Sequence, residues 1–343
     1  MKKNLGFTLI ALFNFIVAIS QSNTFQNPIL PSGADPFSTY HNGYYYYTHT
    51  LGNKLMLWKT KNLANLKDAE SKLIWTPPTG TMYSKEIWAP EFHFINNKWY
   101  VYFAADNGNN NNHRMYVLEN ASKDPFKGSW RLKGKIDTHP DRWAIDANVY
   151  TFHDQLYMVW SGWEGNTNGQ QNIYIAKMKN PWTLEGARVL ISQPTYTWEK
   201  QGDLDDDINP PHVNVNEGPQ FLEHNDKLFI VFSANGCWTD FYNLGLLELE
   251  GGNPMNPQNW MKHQQPIFTK NEANGVYAPG HNSFFKSPDG TEDWILFHAN
   301  DNAGEGCGTK RSPRMQKIEW DKDGTPILGT PVSNKTILNI PSE

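Results

Sequence analysis

The stretch Gly33-Ala34-Asp35-Pro36-Phe37, which precedes the aromatic run Tyr44-Tyr45-Tyr46-Tyr47, begins the first of five similar units in this 343-residue chain. Each unit has a short turn-like phrase around one polar residue, its opening residue, and then a strand-like run rich in aromatic and apolar residues. The opening residues are Asp35, Glu91, Asp146, Glu217 and His281. They lie 56, 55, 71 and 64 residues apart, and the later runs occupy residues 99–103, 156–160, 228–232 and 294–298. Repeats of roughly 40–50 residues or more, built from short strands, are typical of β-propellers. We therefore predict an all-β fold, a single five-bladed β-propeller over residues 24–343, whose opening residues converge on one central axis.

Composition and charge limit the partners of the protein. The formal net charge is −5, charged residues make up 19% of the chain and aromatic residues 14%. No stretch forms the basic stripe that nucleic-acid binding requires, so we predict no nucleic-acid partner. The aromatic residues suit both packed sheets and a surface that contacts sugars.

The amino terminus predicts export. Met1-Lys2-Lys3 is followed by an apolar run over residues 5–19 and by small residues at Ala18 and Ser20. A basic start, a run of this length and small residues near its end are typical of a secretory signal peptide, which we predict over residues 1–20. The run is shorter than the roughly 20 residues that a membrane span needs. We therefore expect a secreted or periplasmic protein with no membrane span once the leader is removed.

Three of the opening residues are carboxylic acids that could do chemistry together. Asp35, Asp146 and Glu217 come from three different repeats, and each lies in an apolar or Gly/Pro-rich frame where an unpaired charge is unfavourable. Glycosidic bonds are broken by two carboxyl groups, one protonated and one ionised, that flank the bond. A third carboxyl nearby can keep the acid protonated, because like charges in one cavity resist ionisation together. The pattern is compatible with a catalytic cavity and with one that only binds.

The ordered motifs resemble glycoside hydrolase family 43 over nearly the whole chain after the leader. The motifs are Gly33-Ala34-Asp35-Pro36, Trp88-Ala89-Pro90-Glu91, Ile145-Asp146, Asn216-Glu217-Gly218-Pro219 and Gly280-His281-Asn282. The resemblance implies a five-bladed propeller and an inverting glycosidase that acts on arabinan- or xylan-type glycans. It also implies that Asp35 is the general base, Glu217 the general acid and Asp146 the residue that tunes and orients the acid. Inversion requires the base and acid carboxyls to lie about 6.5–9.5 Å apart, with water between them.

The resemblance also implies further residues of the site. His281 would lie at the propeller centre beside a metal, so that Ca²⁺ in the central cavity is the one cofactor that we expect; a histidine satisfied by backbone groups is the alternative. Arg314 would point into the cavity and bind the sugar. Trp88 and Phe37 would contact the sugar with their rings, although packing is the default role of aromatic residues in a blade.

Residues 232–238 (Phe-Ser-Ala-Asn-Gly-Cys-Trp) and 276–283 (Val-Tyr-Ala-Pro-Gly-His-Asn-Ser) are similar to the exo-α-L-arabinofuranosidase branch of that family. The resemblance implies release of terminal α-L-arabinofuranosyl residues from an oligo- or polysaccharide substrate. A closed pocket would be needed, and polar loops at 106–113, 164–171 and 198–214 could build its wall. The alternatives are a β-xylosidase of the same family, a galactofuranosidase or a non-catalytic glycan-binding propeller.

Three further features of the sequence are the two cysteines, Glu91 and an aspartate-rich segment. Cys237 and Cys307 follow the strand-like runs of neighbouring repeats, and they either pair or remain as buried thiols. We interpret Glu91 as a structural residue outside the catalytic set. The aspartate-rich segment 203–207 is interpreted as a solvated loop at the rim.

Overall fold

The computed structural model describes residues 23–204, 208 and 210–343. The predicted signal peptide and most of the 203–207 segment lie outside the described residues. The rest of the chain forms the predicted five-bladed propeller: five antiparallel sheets of four strands each, in sequence order from the first strand to the fourth. No helix among the described residues is long and apolar enough to cross a membrane.

The blades follow one another along the chain, and their strand bounds are as follows. Blade 1 consists of β2 (Phe37–His41), β3 (Tyr44–Thr48), β4 (Leu55–Thr60) and β5 (Glu70–Trp75). Blade 2 consists of β6 (Lys85–Ile95), β7 (Lys98–Asp106), β8 (Arg114–Asn120) and β9 (Arg131–Lys135). Blade 3 consists of β10 (Ala144–Phe152), β11 (Gln155–Trp163), β12 (Gln171–Asn180) and β13 (Thr183–Ser192).

Blade 4 consists of β14 (Asn216–His224), β15 (Lys227–Ala234), β16 (Asn243–Leu249) and β17 (Trp260–Lys262). Blade 5 consists of β18 (Tyr277–Lys286), β19 (Asp293–Asn300), β20 (Ser312–Trp320) and β21 (Pro326–Ile327). The ring is joined by β1 (Thr24–Phe25), which pairs antiparallel with β22 (Leu338–Asn339). Short 3₁₀ helices lie at Leu63–Asp68, Asn110–Asn112, Thr197–Glu199, Pro257–Asn259 and Glu272–Asn274.

Two-residue turns set the register between the first and second strands of a blade. Asn42 and Gly43 join β2 to β3 with φ of 49° and 82°, and Asn96 and Asn97 join β6 to β7 with φ of 50° and 62°. Left-handed φ at both central residues matches the twist of the paired strands and favours Asn and Gly. These turns orient the apolar residues of each second strand toward the neighbouring blades.

Apolar packing between neighbouring blades holds the ring together. Each interface has its own cluster of buried side chains, and one large aromatic residue is representative of each. The representatives are Trp99 between blades 1 and 2, Trp160 between 2 and 3, Phe232 between 3 and 4, Phe297 between 4 and 5, and Tyr47 between 5 and 1. Since every interface buries aromatic rings, the aromatic-rich runs of the sequence are explained by packing between blades.

Candidate active site

Every blade has a left-handed residue where its innermost strand approaches the axis; blades 2 and 5 have a second one each, at Glu86 and Ala278. The five residues, one in each blade, are Asp35, Ala89, Asp146, Gly218 and His281, with φ of 56°, 42°, 60°, 53° and 46°. In blades 2 to 5 this residue lies in a β-bulge. At that point the first strand advances by three residues while the paired second strand advances by two. Bulges re-aim side chains and are frequent next to functional sites. Of these five left-handed residues, Asp35, Asp146 and His281 line the same cavity at the axis.

The two glutamate opening residues are offset from this position. Glu217 lies one residue before the left-handed Gly218 and still lines the cavity. Glu91 lies two residues after Ala89 and opposite Tyr102, one step deeper along its strand. The five opening residues therefore do not form one equivalent ring.

Glu91 belongs to a buried layer of polar side chains that crosses the axis. Its Oε2 accepts a hydrogen bond from Asn148 Nδ2 at 2.8 Å and lies 2.9 Å from His93 Nε2. Asn148 also donates to Gln220 Oε1 at 2.9 Å, and the Gln220 amide donates to Glu91 Oε1. Glu91, Asn148 and Gln220 are at most 5% exposed. Glu91 thus has its hydrogen bonds within this axial layer and does not line the cavity of the three carboxyls.

The cavity around Asp35, Asp146 and Glu217 has a volume of about 530 Å³ and is named here the central cavity. Its lining comes from all five blades, and all three loops that we expected at the rim contribute to its wall. One lining residue from each of these loops is Asn110, Asn168 and Pro211. A space of this size accommodates a small ligand and is typical of an enclosed site.

Asp35 is held by hydrogen bonds and cations that favour its ionised form. Thr50 Oγ1 donates to Asp35 Oδ2 at 2.6 Å, and Arg311 Nη1 and His281 Nδ1 lie 3.2 and 3.4 Å from Oδ1. Burial alone would raise the pKa of Asp35, but the charges of His281 and Arg311 hold it well below its usual range. His298 is neutral, because burial and Arg311 depress its pKa, and its Nδ1 accepts from Asp35 N at 3.1 Å. The cavity therefore contains one carboxylate that is ionised throughout the physiological pH range.

Glu217 and Asp146 differ from Asp35, because the pKa of each is raised above its usual value. Burial, followed by the charge of Asp146, raises the pKa of Glu217 to about 7. Burial also raises the pKa of Asp146 to about 6, although its Oδ2 accepts a hydrogen bond from Gly218 N at 2.9 Å. Tyr242 Oη donates to Glu217 Oε1 at 2.8 Å. One cavity thus combines an ionised carboxylate with a carboxyl that retains its proton near neutral pH, which is the division of roles that acid–base catalysis requires.

His281 is the basic side chain that faces these acids. Burial opposes its charged form, but Asp35, Asp146 and Glu217 together raise the pKa of His281. Its backbone N donates to Ser233 Oγ at 2.8 Å. A protonated imidazole at this place balances part of the negative charge of the carboxyls.

The donor set around His281 does not build a calcium cage from protein atoms. Calcium takes six to eight oxygen ligands, whereas the oxygens of Asp35 already accept from Thr50 and face Arg311. Over the described ranges, no group of three or more His, Cys, Asp or Glu side chains is arranged to hold a metal ion. The expected Ca²⁺ stays a prediction, and no chemical step is assigned to it.

Trp88 lies where we expected it, in the wall of the central cavity. Its ring stacks on His113 with centroids 3.9 Å apart. Trp143 and Trp163 line the cavity beside it and stack on each other at 4.6 Å with planes 5° apart. These rings offer the flat apolar surface on which a sugar face packs.

The opposite wall contains the loop that approaches blade 4. Trp238 stacks on His212 at 4.1 Å, and its Nε1 donates to Asp203 O at 2.9 Å. Asn168 Nδ2 donates to Pro211 O at 3.2 Å and so joins this loop to blade 3. Asp203, Pro211 and His212 are therefore held at the wall of the central cavity by contacts with Trp238 and Asn168.

A disulfide lies in the same wall. Cys237 and Cys307 are bonded, with Cα atoms 5.1 Å apart, and both line the central cavity. The bond joins the loop after β15 to the loop before β20, which settles the pairing that the sequence left open. Both loops also carry cavity residues, Trp238 and Arg311.

Two expected sugar contacts lie elsewhere. Arg314 is fully buried inside β20, opposite Phe297 in the register, and its Nη2 lies 2.5 Å from Asp301 Oδ1. Arg311, in the loop before that strand, is the arginine that reaches the cavity. Phe37 is already in β2 and lines a second cavity of about 750 Å³ around the far ends of the five inner strands. Neither Arg314 nor Phe37 lines the central cavity, so both expected positions are corrected.

Several residues that line the central cavity or contact its carboxyls were not identified from the sequence. Trp143 had a usable signal, because it lies three residues before Asp146. Thr50 and Tyr242 had none, since their contacts with Asp35 and Glu217 depend on how neighbouring strands and blades meet. Thr50 and Tyr242 reach these carboxyls only through the tertiary structure.

Comparison with known proteins identifies the family. The family described as Glycosyl hydrolases family 43 matches residues 25–326. The chain belongs to this family. Family 43 explains the propeller and the three acids on its axis. The proteins compared below are similar to this family 43 chain in sequence or in fold.

An extracellular exo-α-(1→5)-L-arabinofuranosidase of Streptomyces avermitilis is 38% identical over 92% of this chain, which spans 65% of that relative's length. Alpha-L-arabinofuranosidase 43 of Humicola insolens is 35% identical over 91% of this chain, again 65% of the relative. An α-L-arabinofuranosidase structure from Lactobacillus brevis superimposes with a TM-score of 0.83 at 34% identity, covering 91% of this chain and 98% of that chain. The chain thus spans slightly less than two thirds of the first two relatives.

Proposed function

We propose that this family 43 protein is an inverting exo-α-L-arabinofuranosidase that releases terminal arabinose from arabinan- or arabinoxylan-type glycans. The observation that carries the proposal is the meeting of Asp35 and Glu217 in one cavity, where Thr50 and Arg311 favour the ionised form of Asp35 and burial favours the protonated form of Glu217. The names of the similar relatives and of the similar structure support arabinose as the sugar.

In the proposed reaction Asp35 and Glu217 act on opposite sides of the glycosidic bond. Glu217 gives its proton to the leaving oxygen as the bond from that oxygen to the anomeric carbon breaks. Asp35 takes a proton from the water whose oxygen forms the new bond to the anomeric carbon, which inverts its configuration. Asp146 keeps Glu217 protonated through its charge and fixes the adjacent Gly218 by its hydrogen bond.

The pocket shape supports an exo mode. Trp238 and Pro211 line one side of the central cavity, and Trp88 lines another. A closed side leaves room for the end of a glycan chain, whereas an endo enzyme needs an open groove on both sides of the cleaved bond. We expect arabinose as the sole early product from linear arabino-oligosaccharides; early products of two or more sugars would contradict the exo mode.

The activity test compares aryl α-L-arabinofuranoside with aryl β-D-xylopyranoside. Wild type should release the aryl group from the arabinoside, and proton NMR should show β-arabinofuranose as the first product. Asp35→Asn should lose activity on every substrate, by a factor of about 10²–10⁴. Glu217→Gln should lose it mainly on substrates with poor leaving groups. Preference for the xyloside would favour a β-xylosidase, and no cleavage of any arabinoside or xyloside would favour a glycan-binding propeller.

We also infer export and calcium binding as two separate proposals. Relatives named extracellular support secretion of this chain; cell fractionation tests it and distinguishes a periplasmic from a released protein. Dialysis against EDTA tests the calcium prediction at His281. Bound Ca²⁺ predicts a lower melting temperature after dialysis that returns with CaCl₂, and an unchanged temperature would contradict it.

A further inference from the structure

A chain of hydrogen bonds leads from the backbone of blade 5 to the acid Glu217. His281 N donates to Ser233 Oγ at 2.8 Å. The Ser233 hydroxyl is hydrogen-bonded to the phenol of Tyr242, and Tyr242 Oη lies 2.8 Å from Glu217 Oε1. Ser233 lies in the 232–238 stretch noted in the sequence, whereas no sequence motif included Tyr242.

The direction of this chain follows from its donors. The His281 N–H can only donate to Ser233 Oγ, and the Tyr242 hydroxyl donates to Glu217 Oε1. The Ser233 hydroxyl therefore donates to Tyr242 Oη, in agreement with the lowering of the pKa of Tyr242 by this hydrogen bond. Tyr242 Oη, which accepts from Ser233, then donates its proton to Glu217 Oε1. Since Oε1 is an acceptor in this arrangement, the acidic proton of Glu217 belongs on Oε2.

We propose that Tyr242 is a positioning residue that assigns the catalytic proton of Glu217 to Oε2 and holds that carboxyl in one orientation. The inference rests on the proposed function, because it concerns the acid step of that reaction. Tyr242 itself acts through Glu217.

Packing fixes Tyr242 in this position. The residue is 1% exposed, and its ring is parallel to that of His298 with centroids 5.7 Å apart. Gly280 makes the space for it, because a Cβ on Gly280 would lie 2.2 Å from Tyr242 Cε1. Burial and the charge of Glu217 raise the pKa of Tyr242 well above its usual value, so the phenol keeps the proton that it donates.

Tyr242 contributes at the step in which Glu217 transfers its proton. As the bond between the anomeric carbon and the leaving oxygen breaks, the proton moves from Glu217 Oε2 to that oxygen and Glu217 becomes a carboxylate. The Tyr242 hydrogen bond to Oε1 strengthens as this charge develops, since bonds to charged acceptors are the stronger ones. Asp146, His281 and Asp35 also face Glu217, but Tyr242 is the neutral donor that distinguishes its two oxygens.

The test is Tyr242→Phe, which keeps the ring and removes the hydroxyl. We measure kcat and KM on arabinobiose, a poor leaving group, and on dinitrophenyl α-L-arabinofuranoside, a good one. We expect kcat on arabinobiose to fall about tenfold or more, as part of the 10²–10⁴-fold that a general acid supplies. On the dinitrophenyl substrate it should change less than about threefold, with KM little changed on either.

Tyr102→Phe is the matched control. Tyr102 is also fully buried and donates to Pro181 O at 2.6 Å, between blades 2 and 3 and outside the central cavity. This variant should keep the wild-type ratio of the two rates. Ser233→Ala should shift the ratio in the direction of Tyr242→Phe by a smaller factor, which gives a second variant if Tyr242→Phe is poorly folded.

The outcomes separate this inference from the proposed function. An active wild type whose Tyr242→Phe variant loses equal factors on both substrates, or loses nothing, overturns the role of Tyr242 alone. A wild type inactive on both arabinosides overturns the proposed function, and the inference with it. A selective loss on arabinobiose, absent in Tyr102→Phe, supports the role.

Discussion

Replacing Glu217 with Gln should stabilise the fold above neutral pH while it removes the proposed acid. Burial and Asp146 raise the pKa of Glu217 from 4.5 to about 7. Between these values the unfolded chain gives up a proton that the folded chain keeps. The free energy of unfolding therefore falls as pH rises from about 4.5 to 7, and the penalty is complete above pH 7.

The size of the effect follows from the shift. A change of about 2.5 pKa units at about 1.4 kcal/mol each corresponds to roughly 3 kcal/mol, and to less where water in the cavity screens the charge. Gln has no such ionisation, and its carbonyl still accepts from Tyr242. We expect Glu217→Gln to exceed wild type in free energy of unfolding by roughly 2–3 kcal/mol at pH 8 and by little at pH 4.

Urea unfolding at pH 4, 6 and 8 measures this difference. Glu199→Gln is the matched control, because Glu199 is a buried glutamate that pairs with Lys262 Nζ at 2.7 Å and accepts from Thr195 N and Tyr196 N. Breaking that pair should destabilise the protein at pH 8. If the gap between Glu217→Gln and wild type were the same at pH 4 and pH 8, the environment of Glu217 would not hold its carboxyl neutral.

Three further predictions concern the same cavity. For substrates with poor leaving groups, kcat/KM should fall about tenfold per pH unit above about pH 7, because Glu217 loses its proton. Asp35 should cause no loss of activity at pH 5, because its pKa lies far lower. A value of kcat/KM that stays level to pH 9 would contradict the role of Glu217. Trp238→Ala removes the anchor of the wall loop and should raise KM for arabino-oligosaccharides about tenfold; an unchanged KM would show that the wall holds without it. Cys307→Ser should lower the free energy of unfolding by about 2–4 kcal/mol through loss of the cross-link to Cys237. A reductant should cause a similar loss of stability in the wild type and no further loss in the variant.

The fold was predictable because every blade of the propeller repeats the same sequence pattern. Each unit contains a turn phrase and an aromatic-rich run, and packing between blades requires both in every copy. Asn42-Gly43 and Asn96-Asn97 even indicated the turns that set the register. Local sequence determines these features, so sequence analysis identified them.

The central cavity was predictable only in part, because distances across a propeller are set by bulges and by blade packing. The bulge separates Glu91 from the cavity although the motif around it resembles the others. Arg311 and Arg314 are three residues apart, and only the start of β20 between them decides which one reaches the cavity. Tyr242 meets Glu217 across 25 residues, through a contact that leaves no local pattern.

The buried layer of Glu91, Asn148 and Gln220 makes the central cavity a dead end. Hydrogen bonds among three blades fill the axis at that depth, so the sugar has no route through the middle of the ring. Under the proposed function, each released arabinose must leave by the mouth through which the glycan entered. The shortened glycan has to withdraw before the sugar can escape, and it then competes with every other chain end in solution. This order of release makes the enzyme distributive: it removes one sugar from each of many glycan chains before any single glycan chain is fully degraded.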